Sequence, residues 1–196
     1  MTKIEIFSDF ACPFCYIGFS IADRLRKENS DLNIEWIPYE LDSDYPLEGG
    51  DLKDIIPEEQ IKMSYRRIER LGSEYGLIYN NKTRKFNTNR LHKAALFARD
   101  EGKYYEFARE AFKTIFEYGK NVGKPEIVDE IALAVGMDVG KMNASIDRGA
   151  YHKEMEEAEN LANKYQIESV PTFIVNKSKK VTFLKDYERF KKDLLG

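Results

Sequence analysis

The spacing of apolar residues changes period twice within the first forty positions. KIEIFS (3–8) alternates apolar and polar residues, which predicts a strand. Over 13–28 the apolar residues Tyr16, Phe19, Ala22 and Leu25 recur at helical spacing. LNIEWIPY (32–39) reads as a second strand, so a strand–helix–strand unit with parallel strands and a right-handed crossover is expected. Residues 42–57 hold two glycines, two prolines and several aspartates, and read as a loop. A helical stretch follows. Ile61, Tyr65, Ile68, Leu71 and Tyr75 form one stripe, which Gly76 is placed to end. Further helices are predicted over 89–101 and 103–118, each closed by a glycine, then from Pro125, after Asp138, and over 151–166. The period then returns to strand. VPTFIVN (170–176) and VTFL (181–184), separated by the polar KSKK, predict a hairpin, and a helix over 186–195 closes the chain.

This order predicts an α/β fold. Residues 1–45 and 150–196 would form a thioredoxin-like core with a mixed four-stranded sheet, and 46–149 an inserted all-helical domain. Composition narrows the function classes. The chain has 196 residues, 33% of them charged, and a formal net charge of −3, with no basic block of the kind that nucleic-acid binding requires. No apolar run is long enough for a membrane span. The N-terminus leads straight into a strand pattern without the features of a signal peptide, so a cytosolic protein is expected. In that compartment a structural disulfide is not expected, and a cysteine pair calls for redox chemistry or a metal.

Both cysteines of the chain fall within FACPFCYIGF (10–19). Pro13 suits the first helical position, where its missing N–H would have had no partner. Cys12 is thereby placed at the N-cap, where the free amides and the positive end of the helix favour a thiolate. Cys15 lies one turn on along the same face, close enough to close a disulfide. Among Phe14, Tyr16 and Phe19 it should be the more buried and less acidic thiol. The expected chemistry is exchange: Cys12 attacks a partner sulfur and Cys15 resolves the mixed disulfide. CxxC is also half of a zinc site, but the remaining candidate ligands, His92 and His152, are far away in sequence. Two thiols carry the two electrons, so no metal or bound organic cofactor is expected. The 12 tyrosines read as core and cleft lining rather than a cofactor box, and His152 as a surface residue.

Four segments resemble one family: SDFACPFCYIG (8–18), WIPYELDSD (36–44), FNTNRLHKAALFA (86–98) and ESVPTFIV (168–175). The chain resembles DsbA-family thioredoxin-fold oxidoreductases, and their FrnE-like branch most. The resemblance implies a cis Val170-Pro171 bond beside the cysteines. Val170, Pro171 and Thr172 would then shape the docking of an extended, thiol- or disulfide-bearing peptide or protein. It also implies that Asp9 and His92 line the same cleft, while on a helix among Leu91, Ala94 and Ala95 His92 reads equally as a polar residue at the core edge. Phe14 stands where the branch usually has Trp, within the Pro13-Phe14 dipeptide that tunes redox potential, and LKDYERF (184–190) replaces a Gly-Ala-Gln-like turn. A second implied activity is that of kappa-class glutathione transferases and 2-hydroxychromene-2-carboxylate isomerases, with glutathione as partner. These usually carry Ser at the Cys12 position and no thiol at Cys15. A non-enzymatic metal-binding or interaction module is the third reading.

Overall fold

In a computed structural model, which describes residues 2–182 and 184–196, strand β1 (Thr2–Ser8) runs into helix α1 (Pro13–Glu28) and returns as strand β2 (Leu32–Pro38). β1 and β2 pair in parallel from Thr2↔Leu32 to Ser8↔Pro38. A two-residue ribbon, β3 (Gly50–Asp51) with β4 (Arg84–Lys85), flanks α2 (Glu58–Gly72). Helices α3 (Asn89–Asp100), α4 (Tyr104–Phe116), α5 (Pro125–Ala134), α6 (Val139–Asp147) and α7 (His152–Lys164) follow. Strands β5 (Thr172–Val175) and β6 (Lys179–Val181) and helix α8 (Tyr187–Leu195) complete the chain. The main sheet has the order β2-β1-β5-β6, with β5 antiparallel to both β1 and β6. This is the α/β fold expected, a mixed four-stranded sheet with helices inserted between β2 and β5.

The alternation of β1 explains the layers. Ile4 and Ile6 belong to a large apolar cluster that takes in Ile17, Ile21 and Leu25 of α1 and Phe190 and Leu194 of α8. Phe7 points to the opposite face, against Ile37, Ile174 and Ala158 and Ala162 of α7. The larger cluster continues into the inserted helices through Leu91, Phe107, Phe112 and Ile131, so α1 is packed from two directions.

Local signals set the helix ends. Pro125 opens α5, and the Asp138 carboxylate caps α6 by accepting from the Lys141 amide at 3.0 Å. Gly102, at φ +70°, lets the chain turn between α3 and α4, and the Lys103 amide closes back on the Ala98 carbonyl at 2.7 Å. Two expectations need correction. The second hairpin strand is Lys179–Val181 rather than 181–184, and Phe183 lies outside the described residues. Asn176 and Lys177 both take positive φ, so a tight turn replaces the polar linker and Lys179 and Lys180 join the ladder. The stretch 42–57, read as loop, contains β3 and a short 3-10 turn over Leu52–Asp54, started by the Asp51 side chain accepting from the Lys53 amide at 3.0 Å.

Candidate active site

The site is built where β1 ends. After Ser8 the chain turns through Asp9, Phe10 and Ala11, and the Cys12 amide bonds back to the Asp9 carbonyl at 3.1 Å. Cys12 is extended (φ −95°, ψ 117°) and is the N-cap of α1, and Pro13 is its first helical residue. This is the placement the proline implied. Cys15 follows one turn later, its amide on the Cys12 carbonyl at 2.9 Å. The thiols differ in surroundings. Cys15 is wholly buried, whereas Cys12 keeps 7% exposure and lines a cavity of about 260 Å³. Burial, and then the Cys12 sulfur alongside, push the Cys15 thiol well up, against hydrogen bonds from the Ser8 side chain and the Asp9 backbone.

The Val170-Pro171 peptide is cis and lies against this turn: the Cys12 thiol donates to the Val170 carbonyl at 3.5 Å. Gly18 makes this approach close. A Cβ at Gly18 would stand 3.0 Å from the Pro171 Cγ. Thr172 is fully buried, and its hydroxyl turns inward to donate to the Ser169 carbonyl at 2.6 Å. Its side chain therefore holds the loop and is not presented to a substrate.

Asp9 and His92 are brought together, but neither lines the cavity at Cys12. They are 1% and 3% exposed, beneath the turn rather than on the cleft wall. The Asp9 carboxylate accepts four hydrogen bonds. Oδ1 takes the Ala11 amide at 3.0 Å, the Thr88 hydroxyl at 2.7 Å and the His92 Nε2–H at 3.2 Å, and Oδ2 takes the Leu41 amide at 2.8 Å. Burial opposes ionisation here, but His92 and the two backbone amides outweigh it and hold Asp9 below the usual carboxylate range. Thr88 is the N-cap residue of α3, yet its hydroxyl serves Asp9 rather than an amide of its own helix. Asn87 completes the element. Its side chain takes the Asn89 amide at 3.0 Å and donates to the Tyr45 carbonyl at 2.6 Å.

Three contributors carried little sequence signal. Ser8 and Gly18 look like ordinary strand-end and helix residues, and Tyr79 lies in an unpatterned segment. Tyr79 reaches across from the inserted region to donate to the Pro13 carbonyl at 3.2 Å. Tyr16 stacks on Phe112, with centroids 5.1 Å apart, and burial pushes its hydroxyl up to about 12, so it remains protonated near neutral pH. His152 is exposed at the start of α7.

Residues 3–195 match the description of the DSBA-like thioredoxin domain. The chain belongs to that family. Protein YwbO of Bacillus subtilis (strain 168), itself uncharacterized, is 26% identical over 177 residues, covering 88% of this chain and 86% of YwbO. A probable DsbA oxidoreductase from Streptomyces coelicolor superposes with a TM-score of 0.88 at 21% identity, covering 99% of this chain and 88% of that one. The cytosolic disulfide reductase DsbM from Pseudomonas aeruginosa, solved with GSH, gives 0.70 at 13% identity, covering 96% and 91%. The DsbA-like fold is thus common to thiol–disulfide oxidoreductases, and membership of the family makes a redox enzyme of this chain at the general level.

Proposed function

We propose that the chain exchanges disulfides with protein or peptide substrates through Cys12 and Cys15. The observation that carries this reading is the asymmetry of the two thiols: one lines an open cavity at a helix N-terminus and the other is sealed one turn beneath it. Cys12 as thiolate attacks a substrate disulfide, forming a mixed disulfide and releasing one substrate thiolate. Cys15 gives up its proton and attacks the Cys12 sulfur. The second substrate sulfur then leaves, two electrons pass to the substrate, and Cys12 and Cys15 are joined. The reverse sequence oxidises a substrate dithiol.

Val170 supports the docking part of the proposal. Its carbonyl adjoins Cys12, and its N–H has no hydrogen-bond partner among the described residues. An extended substrate segment can pair with these main-chain groups as an added strand. A cytosolic setting, as in DsbM, belongs to the same proposal, and cell fractionation tests it. The reaction is tested by turnover of a peptide disulfide with a regenerating thiol. Wild type should turn over, and Cys12→Ser, folded as judged by circular dichroism, should show none. Turnover retained in Cys12→Ser overturns the assignment.

A further inference from the structure

Cys15 can resolve a mixed disulfide only as a thiolate, and it is wholly buried, so its proton has to leave through the protein. Burial holds that thiol well above its ordinary range, which makes an internal acceptor valuable. The strand beneath α1 offers no base, since the β1 residues packed against it are Ile4 and Ile6. The Cys12 sulfur is bonded to the substrate at this step. Tyr104 lies near Cys15, but burial pushes its phenol well up and keeps it protonated. Ser8, the last residue of β1, has its hydroxyl in hydrogen-bond contact with the Cys15 sulfur. A hydroxyl can accept one proton while donating another, so it can pass the proton on but not keep it.

Ser8 also lines a second, smaller cavity, which shares no lining residue with the one at Cys12. Its volume is about 10 Å³, the space of a single water, and Ser8, Tyr104 and His92 give it the polar partners that a water needs. His92 is the lining residue able to take up a proton near neutral pH. Its ring is set for this. Nε2 is 3.2 Å from Asp9 Oδ1, and an ionised carboxylate only accepts, so the neutral ring keeps its proton on Nε2 and leaves the Nδ1 lone pair as acceptor. Asp9 itself is held ionised by its four hydrogen bonds and stabilises the imidazolium that forms. We infer that His92 is the proton acceptor for Cys15, reached through the Ser8 hydroxyl and one water in this cavity. The inference rests on the disulfide-exchange reading. The Cys15 proton moves to Ser8, the Ser8 proton to the water, and a water proton to His92 Nδ1. The Cys15 thiolate then bonds to the Cys12 sulfur, and the bond from Cys12 to the substrate breaks. The electron pair of that bond leaves on the substrate sulfur. In the reverse direction the imidazolium returns the proton to Cys15 as the protein disulfide opens.

The test separates the two chemical steps. Reduced protein is mixed rapidly with a synthetic peptide disulfide and quenched in acid. Mass spectrometry then counts free protein, mixed disulfide at Cys12 and the Cys12–Cys15 disulfide against time. The variants are His92→Gln, which keeps an amide N–H for Asp9 but takes up no proton, Ser8→Ala, and Ser8→Thr, which keeps the hydroxyl. His92→Gln and Ser8→Ala should leave the attack by Cys12 unchanged and slow resolution about a hundredfold, so that mixed disulfide accumulates. Ser8→Thr should resolve faster than Ser8→Ala. Circular dichroism checks the fold of each, and Ser8→Ala carries the test alone if His92→Gln does not fold. Resolution at the wild-type rate in either folded variant overturns the relay and leaves the exchange reading standing. Attack and resolution slowed to the same extent would show that these side chains only hold the turn, and overturns it too. No mixed disulfide and no Cys12–Cys15 disulfide in wild type overturns both.

Discussion

The two sides of the active turn are built to opposite specifications. Towards the inserted helices, Cys12 opens on an apolar cavity whose mouth residues, Leu41 and Ile55, are left in solvent. Beneath the same turn, Asp9 is closed off from solvent and satisfied by four donors drawn from the turn itself, the 41-loop and α3. A buried charge is tolerated only when fully paired, and its loss is costly because every donor around it is stranded. An apolar wall open to water costs little to alter. The polar side therefore holds the turn in place and the apolar side remains free to meet a substrate. Substitutions at Asp9 and at the cavity mouth should separate the two, one reading out as stability and the other as turnover.

The largest effect is expected at Asp9. Asp9→Ala leaves four buried or half-buried donors without their acceptor and should cost about 3–5 kcal/mol in chemical denaturation. Asp9 also gives a pH signature. Its folded-state pKa is lowered, so its contribution is fully present above the usual carboxylate range and is lost as pH falls through the lowered value. The variant's stability should accordingly depend less on pH in the acid range than that of wild type. An unchanged acid limb would mean that Asp9 is not the group holding the turn.

Gly18 comes next, since two known magnitudes oppose each other there. Alanine gains about 1 kcal/mol of helix propensity. A Cβ 3.0 Å from Pro171 meets ring carbons that cannot swing away, and such overpacking costs about 1–3 kcal/mol. Gly18→Ala should therefore be neutral to about 2 kcal/mol destabilising, and should slow exchange by displacing Val170 from Cys12. A more stable variant with full activity would show that the close approach has no consequence. Tyr79→Phe removes one hydrogen bond to the active turn and should cost about 1 kcal/mol. The smallest stability change is expected at Ile55. Ile55→Asp, on an exposed side chain, should shift stability by no more than about 0.5 kcal/mol while changing the turnover of peptide disulfides. A large stability loss there would place Ile55 in the folding core and break the contrast.

Much of this was legible in the sequence, for reasons that differ from residue to residue. The period changes located β1, α1, β2 and most helices within a residue or two, because each element buries one face. Pro13 located the N-cap of α1 by its own covalent chemistry. The ribbon β3–β4 escaped detection because two-residue strands carry no periodicity, and the β5–β6 register was missed because Lys179 and Lys180 sit on an exposed edge where the apolar pattern lapses. Asp9 stood out as a residue of interest but its environment did not, whereas for His92 a place at the core edge was one of two readings, and the burial agrees with it. A buried, four-fold paired carboxylate looks no different in sequence from one in a cleft. Thr88 serving Asp9 instead of its own helix, and Tyr79 crossing to the Pro13 carbonyl, depend on contacts 79 and 66 residues apart along the chain.

The central claim is the division of labour between the thiols, and one trapping experiment addresses it directly. Cys15→Ser, Cys12→Ser and wild type are each incubated with a peptide disulfide, then resolved by non-reducing electrophoresis and mass spectrometry, beside a turnover assay with glutathione. Cys15→Ser should accumulate a mixed disulfide at Cys12, because the resolving sulfur is gone, and Cys12→Ser should trap nothing. A Cys15→Ser protein that traps no substrate yet retains full glutathione-dependent turnover would contradict the account and favour a single-thiol glutathione enzyme.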